Sequence, residues 1–264
     1  MGNHFTDQET SVDLFHLDSY IKGLSQFILN CQCPMTIAIQ GSWGSGKSSM
    51  MKMVEEQIKK DAVCITFNTW QYSQFNLGDD LPLIFYQSLI EKMAANTPDK
   101  AAAENIKECA MTILTSTVRF ASKQLCGGIF EDTVEHVLDN DRKNPKTAVQ
   151  SIEALKNGFR EMAEKRCQIE EKKRMVFFVD DLDRLPPQRA VELMEILKII
   201  LECERCIFVL AIDYDVVSRG VKAKYGDDIG ESKGRSFFDK IIQVPFSLPV
   251  GKYEIGRASC RERV

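Results

Sequence analysis

Three carboxylates occur within four positions directly after an apolar segment, in the stretch FFVDDLDRLPP of residues 177–187. They belong to Asp180, Asp181 and Asp183. Like charges at the end of a buried strand repel one another and resist removal from water, so some other group or ion must make them tolerable there. These residues are therefore candidates for chemistry that involves a bound cation.

A glycine-rich segment, GSWGSGKSS, follows the first apolar segment of the chain. It fits the P-loop pattern G-x-x-x-x-G-K-[ST], in which glycines let the backbone curl so that successive N–H groups and the next helix N-terminus face a phosphate. Lys47 is expected to reach the terminal phosphates of a nucleoside triphosphate, and the Ser48 hydroxyl is expected to bind Mg²⁺. The candidate nucleotide-binding residues are Gly41, Ser42, Trp43, Gly44, Ser45, Gly46, Lys47, Ser48 and Ser49.

A triphosphate that carries Mg²⁺ would supply the cation that the acidic cluster requires. Asp180, at the end of the third predicted strand, is then expected to hold the metal ion through water, as in a Walker B motif. Asp181 is predicted to orient or deprotonate the attacking water, a catalytic role that requires a carboxylate within hydrogen-bond reach of that water. The alternative for Asp181 is a structural cap of the next helix.

Two further positions have an open interpretation. Asp213 ends the fourth predicted strand and is a candidate catalytic sensor of the γ-phosphate or its water, with a cap or turn residue as the alternative. Asp183 and Arg184 either form a local ion pair or take part in catalysis.

Five short segments are interpreted as strands because they are almost continuously apolar, as parallel strands covered on both faces are. Segments with helical periodicity lie between them, for example residues 48–60 and 188–202. This alternation predicts a doubly wound α/β domain with a parallel sheet. The predicted strands are residues 35–40, 63–68, 175–180, 206–213 and 240–246.

The region of about residues 83–174 interrupts the alternation and is interpreted as a helical insertion between the second and third strands. Its last part, residues 165–174, is a charged run that is interpreted as a solvated helix face. Residues 110–130 are the best candidate for a membrane segment, but Arg119 and Lys123 lie in the middle of this stretch. The segment is therefore expected, at most, to lie on a surface or to pack on a partner.

The composition is that of an ordinary globular protein, with 44% hydrophobic and 27% charged residues in a chain of 264 residues. One large domain is expected. A net charge of -4 gives no support for a nucleic-acid partner. The nine cysteines, without an apolar signal segment before them, indicate a reducing compartment, so we expect a cytoplasmic location and no disulfide framework.

Five stretches occur in a characteristic order: GSWGSGKSSMM, ITFNTWQY, FFVDDLDRLPP, CIFVLAIDYDVV and FFDKIIQVPFSLP. In these stretches the chain resembles the KAP family of P-loop NTPases. The resemblance implies ATP hydrolysis with Mg²⁺ on a sheet of order 5-1-4-3-2, with a helical insertion between strands 2 and 3. It also places Arg184 in the family motif, where a guanidinium could reach the phosphates of a neighbouring subunit as a catalytic arginine finger.

Many members of this family carry transmembrane helices in the insertion and organise complexes at the membrane, and some bacterial members are linked to phage exclusion. The resemblance therefore implies an ATPase that switches or organises a protein partner or its own assembly, in phage exclusion or at the membrane. This insertion lacks a convincing span, so peripheral membrane contact is the most that we expect. The KAP-type domain is expected to cover residues 1–250, and residues 251–264 are interpreted as a non-native or frame-broken tail.

Two other functions fit the same motifs. A P-loop kinase also needs the phosphate loop and Mg²⁺, and a nucleotide-dependent scaffold needs them without hydrolysis. A GTPase is disfavoured because no guanine-reading N-K-x-D motif follows the fourth predicted strand.

Two cysteine pairs precede or begin predicted strands, namely Cys31 with Cys33 and Cys203 with Cys206. The sheet order implied by the resemblance makes these strands neighbours, so both pairs should gather at the edge of the sheet opposite the nucleotide. Inert buried thiols are the favoured interpretation. A four-thiolate zinc site and a redox-sensitive bridge are the alternatives, although C-x-C is a poor spacing for zinc.

Overall fold

A computed structural model of the chain describes residues 10, 11, 13, 16–73, 81–95, 146–200, 202–225 and 240–249. Within these residues, five parallel strands form one sheet in the order β2-β3-β4-β1-β5. This is the order 5-1-4-3-2 counted from the other edge, so the predicted fold class is confirmed. The strands are β1 (Met35–Gln40), β2 (Val63–Asn68), β3 (Met175–Asp180), β4 (Cys206–Ile212) and β5 (Val244–Ser247).

Helices cover both faces of the sheet. The first two helices pack on one face, and the later ones pack on the other with the larger part of the core. The helices are α1 (Asp18–Asn30), α2 (Lys47–Ile58), α3 (Trp70–Ser73), α4 (Leu81–Ala94), α5 (Lys146–Ile169), α6 (Pro187–Ile200) and α7 (Tyr214–Tyr225).

The central strands are buried on both faces, which explains their continuous apolar sequence. Neighbouring residues of β3 point to opposite faces: Phe178 packs with α1 and α2, and Phe177 packs with the later helices. Phe177 stacks on Phe208 of β4, with ring centroids 4.8 Å apart, and also contacts Phe159 of α5. Burial of each such side chain contributes about 2–3 kcal/mol to the stability of the fold. This packing holds β3 in the sheet, and the last residue of β3 is Asp180.

The fifth strand is shorter than predicted. Lys240 and Ile241 are helical, and the pairing with β1 begins at Val244 instead of residue 240. The Gln243 side chain accepts a hydrogen bond from the Thr36 main-chain N–H at 2.7 Å and so occupies a donor of β1 next to the start of this pairing. The predicted span of 240–246 was therefore wrong at its beginning, because apolar composition alone does not separate the end of a buried helix from a buried strand.

Helices α3, α4 and α5 lie between β2 and β3, where the sequence predicts a helical insertion. The candidate membrane segment of residues 110–130 and the predicted tail of residues 251–264 lie outside the described residues. In the part of the chain that the structure describes, no helix has both the length and the apolar character needed to cross a membrane.

Two arginines of the charged run before β3 are structural. Arg166 is buried, and its Nη1 donates to the main-chain oxygens of Met93 at 3.1 Å and Ala95 at 2.7 Å, at the end of α4. Arg174 Nη1 donates to the Ile28 oxygen at 2.6 Å, near the end of α1. The last carbonyls of a helix lack the intrahelical donors that earlier carbonyls have, and arginine side chains can supply such donors. The interpretation of the run as a solvated helix face is therefore wrong for these two residues.

Candidate functional site

A cavity of about 550 Å³ lies at the carboxyl end of the sheet. It is lined by loop residues 43–49 after β1, by Asn68 at the end of β2, and by Asp180, Asp181 and Asp183 at and after the end of β3. Ligands of parallel α/β sheets bind outside the carboxyl ends of the strands. The glycine-rich segment and the acidic cluster, which are far apart in sequence, thus form one site.

The loop after β1 depends on glycine at three positions. Gly44 and Gly46 have φ values of 74° and 93°, in the left-handed region where a side chain causes strain. Gly41 is needed for a different reason, because a Cβ atom at this position would collide with the Ser45 hydroxyl. The three glycines therefore permit a tight curve that residues with side chains would resist.

The curve leads directly into α2. Gly46 is the N-cap, so the N–H groups of Lys47, Ser48 and Ser49 belong to the first turn and have no partner within the helix. The Ser45 hydroxyl oxygen is buried and has no hydrogen-bond partner among the described residues. Unpaired donors and the positive end of the helix dipole suit an anion, so this loop fits a phosphate group.

Lys47 is held inside the loop. Its Nζ donates to the main-chain oxygens of Gly41 at 2.9 Å and Ser42 at 3.2 Å, and it lies 2.8 Å from Asp183 Oδ2. Gly41 and Ser42 were also predicted to bind nucleotide, but they do not line the cavity. The local ion pair considered for Asp183 and Arg184 is therefore wrong, because Asp183 pairs with Lys47.

The two predicted metal ligands lie close together. Ser48 and Asp180 both line the main cavity and also a second cavity of about 150 Å³ beside it. Asp180 Oδ1 accepts a hydrogen bond from the Asp181 main-chain N–H at 2.8 Å, which orients the carboxylate. Hydroxyl and carboxylate oxygens, with room for water, are the ligands that Mg²⁺ prefers. The residues present therefore fit Mg²⁺, which Ser48 would bind and Asp180 would hold through water.

Asp181 leaves the strand direction with a φ of 59°, in a left-handed conformation that aspartate tolerates better than most residues. Its Oδ1 pairs with Arg184 Nε at 2.6 Å, and its Oδ2 accepts a hydrogen bond from Asn68 Nδ2 at 2.7 Å. Asp181 precedes the 3-10 turn Leu182–Arg184, but its side chain makes no capping hydrogen bond there. The structure therefore directs this carboxylate to the site and not to a cap.

Arg184 contacts two indole rings. Its guanidinium carbon is 4.6 Å from the Trp43 ring centroid and 5.2 Å from that of Trp70. Trp43 belongs to the phosphate loop and is 65% exposed, and Trp70 begins α3. Cation–π contacts and the Asp181 ion pair hold the guanidinium against the cavity of its own chain.

Asp213 occupies a different position. Its Oδ1 accepts a hydrogen bond from the Asp215 main-chain N–H at 3.0 Å, at the start of α7. It is not among the residues that line the cavity. The structure thus supports the capping interpretation of Asp213, in which the side chain satisfies a donor of the first helical turn.

The cysteines gather at the opposite edge of the sheet, as the implied strand order predicts. Cys33 lies near Cys31 and Cys203, and Cys206 lies near Cys33, Cys167 and Cys203. All five are free thiols, and the described residues contain no group of three or more His, Cys, Asp or Glu side chains placed to hold a metal ion. Burial raises the pKa of Cys33 and that of Cys206. The alternative of a zinc site is therefore not formed, and the raised pKa values of Cys33 and Cys206 suit the interpretation as inert thiols.

Residues 17–264 match the sequence model of a family described as the KAP family P-loop domain. The chain belongs to this family. The match includes the loop at residues 41–49 and the acidic cluster at residues 180–183, which meet in the cavity. P-loop NTPases bind nucleotide, and in this KAP domain the cavity brings the glycine-rich loop and the acidic cluster together. None of the curated proteins matches the chain in sequence.

The sequence did not indicate a site role for Asn68 in the KAP domain. This residue pairs with Asp180 across β2 and β3, so its side chain reaches the acidic cluster. The sequence did contain one signal: Asn68 is a polar residue at the end of β2, and the implied strand order places β2 next to β3, the strand that ends in the acidic cluster. Lys52 of α2 and Trp70 also line the cavity and were not predicted to do so.

Proposed function

We propose that this KAP P-loop domain binds ATP with Mg²⁺ in the cavity and hydrolyses it. The observation that carries the proposal is that a glycine-rich loop fitted to phosphate and a set of carboxylates fitted to Mg²⁺ and water line the same cavity. ATP is preferred to GTP in this proposal because the sequence lacks a guanine-reading N-K-x-D motif after β4.

Each residue has a separate role in the proposed reaction. The N–H groups of residues 44–49 bind phosphate oxygens, and Lys47 exchanges Asp183 for the terminal phosphates. Ser48 and Asp180 hold Mg²⁺, which when bound neutralises charge on the phosphate oxygens. Asp181 orients the attacking water and accepts its proton.

We propose further that the hydrolysis cycle switches a protein partner or the assembly of the chain itself, in the cytoplasm. The support is the family membership and, for the reducing compartment, the free cysteines. Phage exclusion and peripheral membrane contact are narrower proposals that rest on the family resemblance alone.

Phosphate release from the purified protein tests the central reaction. We expect release with ATP that depends on Mg²⁺, less release with GTP, and stimulation by a cell extract that contains the partner. Lys47→Ala should abolish release, and Lys22→Ala, which removes an exposed lysine of α1, should leave it unchanged. The Lys47→Ala protein with the same extract gives the background from other enzymes.

Each other outcome contradicts a part of the proposal. ATP binding without release in every arm would indicate a scaffold. Transfer of labelled phosphate to an acceptor instead of water would indicate a kinase. Unchanged ATP affinity in Lys47→Ala would contradict the nucleotide site itself.

A further inference from the structure

Both carboxylate oxygens of Asp181 are engaged by side chains of the same chain. Arg184 Nε lies 2.6 Å from Oδ1, and Asn68 Nδ2 lies 2.7 Å from Oδ2. The Asp181 side chain is only 10% exposed, so bulk water competes little for these contacts. Hydrogen bonds to an ionised acceptor are short and strong, and both of these have that length.

The orientation of Asn68 is fixed by the backbone. The Trp70 main-chain N–H donates to Asn68 Oδ1 at 2.9 Å, so the amide NH₂ group is the one that faces Asp181. Asn68 is also the last residue of β2 and pairs with Asp180 of β3. The donor is therefore placed by the sheet and by the start of α3, and it has little freedom to turn away.

This arrangement restricts what Asp181 can do to a water molecule. A carboxylate orients and deprotonates water through a free oxygen lone pair that points at the water. An oxygen already bound to the Asn68 amide is fixed in direction and has part of its accepting capacity occupied. Loss of this hydrogen bond would free Oδ2 without removing a charge from the site.

We propose that Asn68 is a positioning residue that restrains Asp181, and that this KAP domain hydrolyses nucleotide slowly until the restraint is released. The inference rests on the proposed function, because it requires Asp181 to act on water. Arg184 shares the restraint through Oδ1, but its positive charge also faces the cavity. Asn68 is neutral, and its substitution tests the restraint by itself.

Asn68→Ser is the informative variant. Serine retains an oxygen that can accept the Trp70 N–H, but its side chain is too short to reach Asp181. We expect kcat to rise about fivefold, which corresponds to about 1 kcal/mol and to one hydrogen bond, with the nucleotide Kd unchanged. Asn30→Ser is the matched control, since Asn30 is exposed at the end of α1 and its amide donates to Gln26.

The same substitution in the Asp181→Asn background separates positioning from a general effect on structure. If Asn68 acts through Asp181, Asn68→Ser should give no acceleration there. Asn68→Ala is a second variant that removes the amide donor to Asp181 altogether, and it should accelerate turnover too. Thermal unfolding of each variant verifies that it is folded.

Unchanged or lower kcat in both folded Asn68 variants would overturn the restraint, as would an acceleration that persists in the Asp181→Asn background. Wild-type turnover in Asp181→Asn alone would instead overturn the role of Asp181. The absence of phosphate release from ATP in the wild-type protein, with and without extract, would overturn the proposed function. Slow turnover in Asp181→Asn with no acceleration by either Asn68 variant would refute the restraint and leave the proposed function standing.

Discussion

Lys47 Nζ lies 2.8 Å from Asp183 Oδ2, and the two side chains are only 8% and 6% exposed. Together with the main-chain oxygens of Gly41 and Ser42, this carboxylate occupies all three donors of the ammonium group. A phosphate that reaches Lys47 must therefore displace Asp183. We therefore expect the ion pair to stabilise the nucleotide-free protein and to oppose nucleotide binding.

Asp183→Asn should shift this balance. The free protein loses the charge partner of a buried lysine, which costs on the order of 3 kcal/mol and lowers Tm by about 6–10 °C. The nucleotide no longer has to displace a carboxylate, so its Kd should fall by about tenfold. Thermal unfolding and a nucleotide titration measure the two effects.

Asp61→Asn is the control for the Asp183 prediction, because Asp61 is exposed in the turn between α2 and β2. It should change neither Tm nor Kd. Weaker nucleotide binding in Asp183→Asn would show instead that Asp183 contributes to the bound state.

Much of the fold was predictable because strands that are buried on both faces have a recognisable apolar sequence. The strands β3 and β4 are buried on both faces and read as uninterrupted apolar runs. The loop at residues 41–49 was predictable for a similar reason, since left-handed backbone at Gly44 and Gly46 selects glycine. The sheet order itself came from the family resemblance.

The pairing of charges in the site was not predictable. Their adjacency in sequence suggested an ion pair between Asp183 and Arg184. In the structure, both lie in the 3-10 turn after β3, where Asp183 pairs with Lys47 and Arg184 pairs with Asp181. The contact of Asn68 with the cluster depends on the register of β2 against β3, which a strand's own pattern does not specify.

Arg184 should act within its own chain. Its guanidinium contacts Trp43, Trp70 and Asp181 of the same site. A mixture of Arg184→Ala and Lys47→Ala proteins should therefore recover no activity at any ratio, because neither protein supplies what the other lacks. Recovery in the mixture would show that Arg184 serves a neighbouring subunit as an arginine finger.

Cys167 should make stability fall at alkaline pH. Burial raises the pKa of its thiol from 9.0 to about 11. Between these pH values the unfolded chain loses the proton and the folded chain keeps it, so the free energy of unfolding decreases as pH rises. One such group lowers the free energy of unfolding by at most about 1.4 kcal/mol for each pH unit in this range.

Urea unfolding from pH 8 to 11 checks this in the wild type and in Cys167→Ala. The variant starts from a lower stability because it leaves a cavity, but its decline above pH 9 should be shallower by about 1 kcal/mol per pH unit. Parallel pH profiles of the two proteins would contradict the assigned pKa.

The most direct test of the account is turnover and binding in Asp181→Asn. The variant keeps the shape of the side chain and leaves Asp180 in place for Mg²⁺, but it removes the carboxylate that handles water. Nucleotide binding can be followed by the fluorescence of Trp43 and Trp70, which both lie at the cavity. We predict retained Mg-ATP binding with kcat lowered by roughly 10² or more. Wild-type turnover in this variant would contradict the assignment of Asp181 as the residue that activates water.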